Sequence, residues 1–177
     1  MVRRIVTGLD SDGKPAILSD GPSPESASSA HVAGMSRELI WATASPVAPG
    51  ENIIEGGRSL VPAPGESVAM VISFPSASAF AVPGLDFAAV GAETAALFPG
   101  LAERFEAGDP AMHRTASVDY SVVLQGPILL DLGDDRAVEL ATGDIVVQNA
   151  TRHAWRTVGD LPATLFVVLL GADDTAT

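Results

Sequence analysis

Apolar and polar residues alternate in short runs along most of this chain, and the alternation sharpens toward its C-terminal end. Residues 2–8 are rich in β-branched side chains and predict a strand. Asp10-Ser11-Asp12-Gly13 is a turn signal, with residues 15–19 returning as a second strand. Residues 20–34 are crowded with Ser, Pro, Ala and Gly and predict an exposed loop. A strand follows at 38–43, a loop at 45–57, a sharp turn at Pro62-Ala63-Pro64-Gly65 and a strand at 67–74 that Pro75 ends. Residues 87–105 are Ala-rich, with Leu97, Leu101 and Phe105 at helical spacing. They predict one or two short helices interrupted near Pro99-Gly100. Strands then succeed one another at 118–125, 128–132, 137–140, 144–148, 154–158 and 164–170, with Gly126-Pro127 and Gly133-Asp134-Asp135 as punctuation. Short strands at regular spacing predict a sandwich or a barrel.

Composition narrows this picture. Nearly half of the 177 residues are hydrophobic, enough for a sizeable core in one domain. Acidic residues number 22 against 10 Lys and Arg, for a net charge of -12, which repels phosphate backbones and anionic membranes. Nucleic acid is therefore not an expected partner. Cysteine is absent, which excludes disulfides, thiolate nucleophiles and Cys-based metal sites. No run is long enough to span a bilayer and the start lacks a leader pattern, so a cytoplasmic location is expected. No Gly-rich phosphate loop follows a strand, and no Gly-x-Ser-x-Gly elbow occurs.

The chemistry concentrates on two of the three histidines. His31 lies in a polar loop. His113 lies in Gly108-Asp109-Pro110-Ala111-Met112-His113-Arg114-Thr115, followed by Asp119-Tyr120 and Gly126. His153 closes Gly143-Asp144-Ile145-Val146-Val147-Gln148-Asn149-Ala150-Thr151-Arg152-His153, followed by Ala154-Trp155. Together these segments resemble the two motifs of the cupin superfamily. The first family motif runs Gly, His-x-His, a carboxylate and Gly. The second runs Gly-Asp, an apolar strand, Pro-x-Gly and His. Four positions depart from the pattern: Thr115 stands for the second His, Asp119 for Glu, Gln148 for Pro and Ala150 for Gly. Residues 2–8 and Asp119-Tyr120 also resemble a bacterial and fungal subgroup of single-domain cupins, of the cupin-2 type, here with a degenerate first motif.

The resemblance implies an all-β fold, a cupin jelly-roll β-barrel with an N-terminal strand extension and a short helical insert. One domain would cover residues 1–177: strands and loops over 1–75, the insert over 85–107, the motif-bearing half over 108–171. It also implies His113, Asp119 and His153 as ligands of a divalent metal. Alternation supports the trio, because on one extended strand His113, Thr115, Ser117 and Asp119 share a face while Met112, Arg114 and Val118 share the other. Two imidazoles and a carboxylate suit Fe, and also Mn, Ni or Zn.

The expectation is thus a metal-dependent enzyme acting on a small organic acid or aromatic metabolite by dioxygenation, decarboxylation, isomerisation or lyase chemistry. His113, His153 and Asp119 are its catalytic residues, and Thr115, Gln148 and Trp155 contact the substrate. Two alternatives stay open: a metal-free cupin that binds a small ligand without catalysis, and metal-free acid–base catalysis by His113 or His153. Arg114 and Arg152 either attract a carboxylate or pair outside with acidic residues. Tyr120 falls on the opposite face from Asp119. A homodimer is expected, paired through residues 2–8.

Overall fold

A computed structural model describes residues 1–174. Its strands are β1 (Arg3–Leu9), β2 (Pro15–Pro22), β3 (Glu25–Ser28), β4 (Ser36–Thr43), β5 (Ser67–Phe74), β6 (Ser117–Gln125), β7 (Ile128–Asp131), β8 (Ala137–Leu140), β9 (Ile145–Asn149), β10 (Ala154–Thr157) and β11 (Ala163–Gly171). One α-helix, α1 (Phe87–Leu97), precedes the motif-bearing half. The strands form three antiparallel sheets: β1-β2, β10-β7-β8, and a six-stranded sheet ordered β3-β4-β5-β11-β6-β9.

This corrects the expected all-β jelly-roll barrel. All three sheets are open, and a helix stands beside them, so the architecture is mixed. Closure would need a continuous ladder between the six- and three-stranded sheets. Instead, a single isolated bridge joins His113, ahead of β6, to His153, just ahead of β10. The bridge does not extend into a ladder: His113 lies outside the strands, and β10 ladders with β7 instead.

The core lies on the inner face of the large sheet. β11 is central, and Leu165, Val167 and Leu169 alternate inward along it beside Val68, Met70 and Ile72 of β5. Ile128, Leu130 and Leu140 of the small sheet belong to the same cluster. The loop expected at residues 20–34 contains β3, an edge strand that its Ser- and Ala-rich sequence hides.

Asp86 caps α1, its carboxylate accepting from the Ala88 and Ala89 amides at 2.9 and 3.1 Å. The helix ends before Pro99-Gly100, and only a short 3-10 turn, Ala102–Arg104, follows. Gly100 has φ +78°, and a Cβ there would sit 2.0 Å from the Ser59 hydroxyl, so a side chain is excluded. Leu97 and Leu101 on either side of the break are both buried in the core.

Candidate functional site

The period-two alternation of β6 sends Ser117, Asp119, Ser121 and Val123 inward. Thr115 and His113 continue this buried row upstream of the strand. Gln148 of β9 lies directly opposite Asp119, and His153 directly opposite His113. The inner wall at this edge of the sheet is therefore polar, where the neighbouring strands β11 and β5 present Leu, Val and Met.

The two histidines exchange backbone hydrogen bonds at 2.9 Å in both directions, and their ring centroids are 4.4 Å apart. His113 Nδ1 lies 2.9 Å from the Ala111 carbonyl, and His153 Nδ1 lies 3.0 Å from the Thr151 carbonyl. A carbonyl only accepts, so each Nδ1 carries the proton and each Nε2 carries the lone pair. Phe105 packs edge-on against His113 at 5.4 Å, and Trp155 edge-on against His153 at 5.9 Å. Burial lowers the pKa of His113. It also pulls His153 down to about 4, with the adjacent His113 adding to the effect. Both rings are neutral at pH 7.

Asp119 is 5 % exposed, and its Oδ1 has no hydrogen-bond partner among the described residues. Burial pushes this carboxyl up to about 6, partly countered by the Ser117 hydroxyl. Ser117 Oγ stands 2.9 Å from Thr115 Oγ1, which links the carboxylate toward the histidines through hydroxyls. Gln148 Nε2 donates to the Thr151 carbonyl at 3.2 Å and to the Thr151 hydroxyl.

The expected metal centre does not form. Among the described residues no group of three or more His, Cys, Asp or Glu side chains is placed to hold a metal ion. The physical reason lies in the chain between His113 and Asp119. From Ser117 the chain runs extended, which carries Asp119 along the row away from the bridge that pairs His113 with His153. Asp119 does not join the two imidazoles in a three-member donor group among the described residues. The donor set for Fe, Mn, Ni or Zn through His113, Asp119 and His153 is thus not assembled, and the reading as a metal-dependent cupin enzyme falls with it.

The flanking arginines turn outward. Arg114 binds the Ala150 carbonyl at 2.9 Å and the Asp174 carboxylate at 3.0 Å. Arg152 binds Glu106 at 2.6 Å. Arg156 bridges Asp109 at 2.5 Å and Asp131 at 2.8 Å, tying the turn before His113 to the small sheet. Surface depressions of about 500 Å³ beside Pro62 and Arg104, and of about 370 Å³ beneath the β1-β2 hairpin, contain none of the buried polar wall. Ser121 completes the wall. Its signal was the unbroken period-two run Thr115, Ser117, Asp119, Ser121.

No family model matches the chain. Among curated proteins, the chain is 51% identical over 51 residues to phomopsin biosynthesis cluster protein C' of Diaporthe leptostromiformis, which covers 28% of this chain and 26% of that protein. It is 43% identical over 68 residues to the cupin-domain-containing oxidoreductase fogC of Aspergillus ruber, covering 36% of this chain and 32% of that protein. Over these stretches the chain is similar to cupin-domain-containing proteins. The matched stretches span only about a quarter to a third of these relatives' length. Among solved structures, the cupin domain of Schizosaccharomyces pombe Cnp3 aligns over 96% of this chain and 87% of its own, at 8% identity and a TM-score of 0.47. The chain keeps two histidines at cupin-like motif positions, and among the described residues no metal triad is assembled around them. Among the described residues, no helix is long and apolar enough to cross a membrane.

Proposed function

We propose that this cupin binds a small ligand without a metal and without catalysis, on the wall formed by His113, Thr115, Ser117, Asp119, Gln148 and His153, with Trp155 at its edge. One observation carries the reading: a buried carboxylate oxygen, Asp119 Oδ1, without a hydrogen-bond partner among the described residues. An unsatisfied buried acceptor costs about 1–3 kcal/mol, more when charged, so a fold that keeps one has a use for it. The chain would be a single-domain cupin of the cupin-2 type whose first motif has lost its second histidine to Thr115.

The test has two parts. Chelation followed by elemental analysis leaves the melting temperature unchanged, and no stoichiometric metal returns on reconstitution. A metabolite library screened by side-chain NMR then yields a compound that moves the His113, His153 and Asp119 resonances and is recovered unaltered. A library that moves none of these resonances removes the proposal.

We further propose that two copies pair through the outer face of β6, β9 and β11. Tyr120, Val122, Ile145, Val147, Phe166 and Val168 meet there in register, without a charged side chain among them. On a chain of net charge -12, an apolar face free of charge is where two copies approach without repulsion.

A further inference from the structure

Most of the N–H groups on the polar wall are committed. Both Nδ1–H groups of the histidines go to carbonyls in their own chain segments, so each ring offers only the Nε2 lone pair. The Gln148 amide spends both of its N–H groups on Thr151. One of these goes to a carbonyl, which fixes the amide orientation and leaves Oε1 as the amide's acceptor. Asp119 offers Oδ1, an acceptor without a partner in a position 5 % exposed. Ser117 gives its hydrogen within the Thr115–Ser117–Asp119 row. Among the described residues no cationic side chain joins the wall: Arg114, Arg152 and Arg156 pair with Asp174, Glu106, Asp109 and Asp131.

The free donors of this wall are the Thr115 and Ser121 hydroxyls, which also accept, while its imidazole Nε2 atoms and its carboxylate accept only. An anionic ligand would meet lone pairs and a carboxylate with nothing to neutralise it. A ligand rich in N–H donors that carries positive charge satisfies the orphan oxygen. We infer that the ligand of this site is a small organic ammonium, its N–H groups directed at Asp119 Oδ1 and Gln148 Oε1, which lie on opposed positions of β6 and β9. The inference rests on the ligand-binding reading above and gives that ligand a chemical class. It reverses the expectation of an organic acid. The surplus of acidic residues, 22 against 10 basic, favours the approach of the same sign of ligand.

Three near-isosteric probes decide it: n-propylammonium, 1-propanol and propionate, each titrated into the full chain near neutral pH. The Asp119 carboxyl carbon and the His113 and His153 ring nitrogens are followed by NMR. Propylammonium is expected to move the Asp119 signal and to bind about tenfold or more tightly than the other two, as a charge-assisted hydrogen bond in a buried site gives. Asp119→Asn, which keeps the shape, removes that preference. Should this variant unfold, Gln148→Leu supplies the same readout through the second acceptor. Equal binding of propanol, or preferred binding of propionate, overturns the inference and leaves a ligand site of another class. Silence from all three, beside a library compound that moves the same resonances, also overturns the inference alone. Silence from both experiments removes the site itself.

Discussion

The shifts of Asp119 and His153 act on stability in opposite directions. The Asp119 carboxyl rises from 3.8 to about 6, so between those values the folded chain holds a proton that the unfolded chain has lost. That term makes stability fall as pH rises through the window. His153 drops from 6.5 to about 4, so over nearly the same window the unfolded chain holds a proton that the folded chain lacks, and stability rises with pH. His113 is shifted in the same direction as His153. Asp119→Asn deletes the falling term alone. Between about pH 4 and 6 its stability should therefore climb more steeply than wild type, by up to roughly 1.4 kcal/mol per pH unit. Urea unfolding across that range measures the slope, and an unchanged slope would refute a protonated, buried Asp119. Ala150 carries a separate local penalty. Its φ is +51°, in the left-handed region that an L residue enters at a cost, at the position where the family motif has Gly. Ala150→Gly is expected to stabilise the fold by about 1 kcal/mol, with the Arg114 contact to the residue 150 carbonyl kept.

At the scale of elements, β11 is the member on which the large sheet depends. It ladders with β5 on one side and β6 on the other, and Leu165 on it is 0 % exposed. Leu165→Ala is expected to cost about 2–5 kcal/mol, seen as a lower urea midpoint with the slope m retained. A loss below 1 kcal/mol would mean that the site collapses freely around the deletion. The β1-β2 hairpin is held quite differently. Its sheet contains no other strand, and its tether is polar: the Val2 amide on the Glu38 carboxylate at 2.9 and 3.1 Å, and Arg4 on the Ile40 carbonyl at 3.2 Å. Glu38 lies on the outer face of the sheet, so the hairpin covers β4 there.

At the scale of the whole molecule, the outer face beyond that hairpin is bare. Tyr120 is 47 % exposed, Ile145 70 % and Val147 53 %, all on one apolar surface. Light scattering behind size exclusion is expected to give twice the 18.1 kDa chain mass, and Val147→Lys, at a position that tolerates a charge, is expected to give a monomer. A wild-type chain that runs at 18.1 kDa would sink the pairing.

Much of the local structure was legible along the chain. Apolar alternation marked the strands from 118 onward, and Pro99-Gly100 marked the break after α1, because both signals arise between neighbours in sequence. The period of two also assigned Thr115, Ser117 and Asp119 to a single face, a property of any extended segment. β3 escaped because an edge strand of Ser and Ala buries too little to leave a pattern. The sequence by itself thus determined which residues face inward and that two cupin-like motifs are present. Only the tertiary structure decided whether the sheets close, whether Asp119 reaches the imidazoles, and which donors are already spent. Those outcomes depend on pairings between strands remote in sequence and on where backbone carbonyls fall, and no spacing of residue types encodes either.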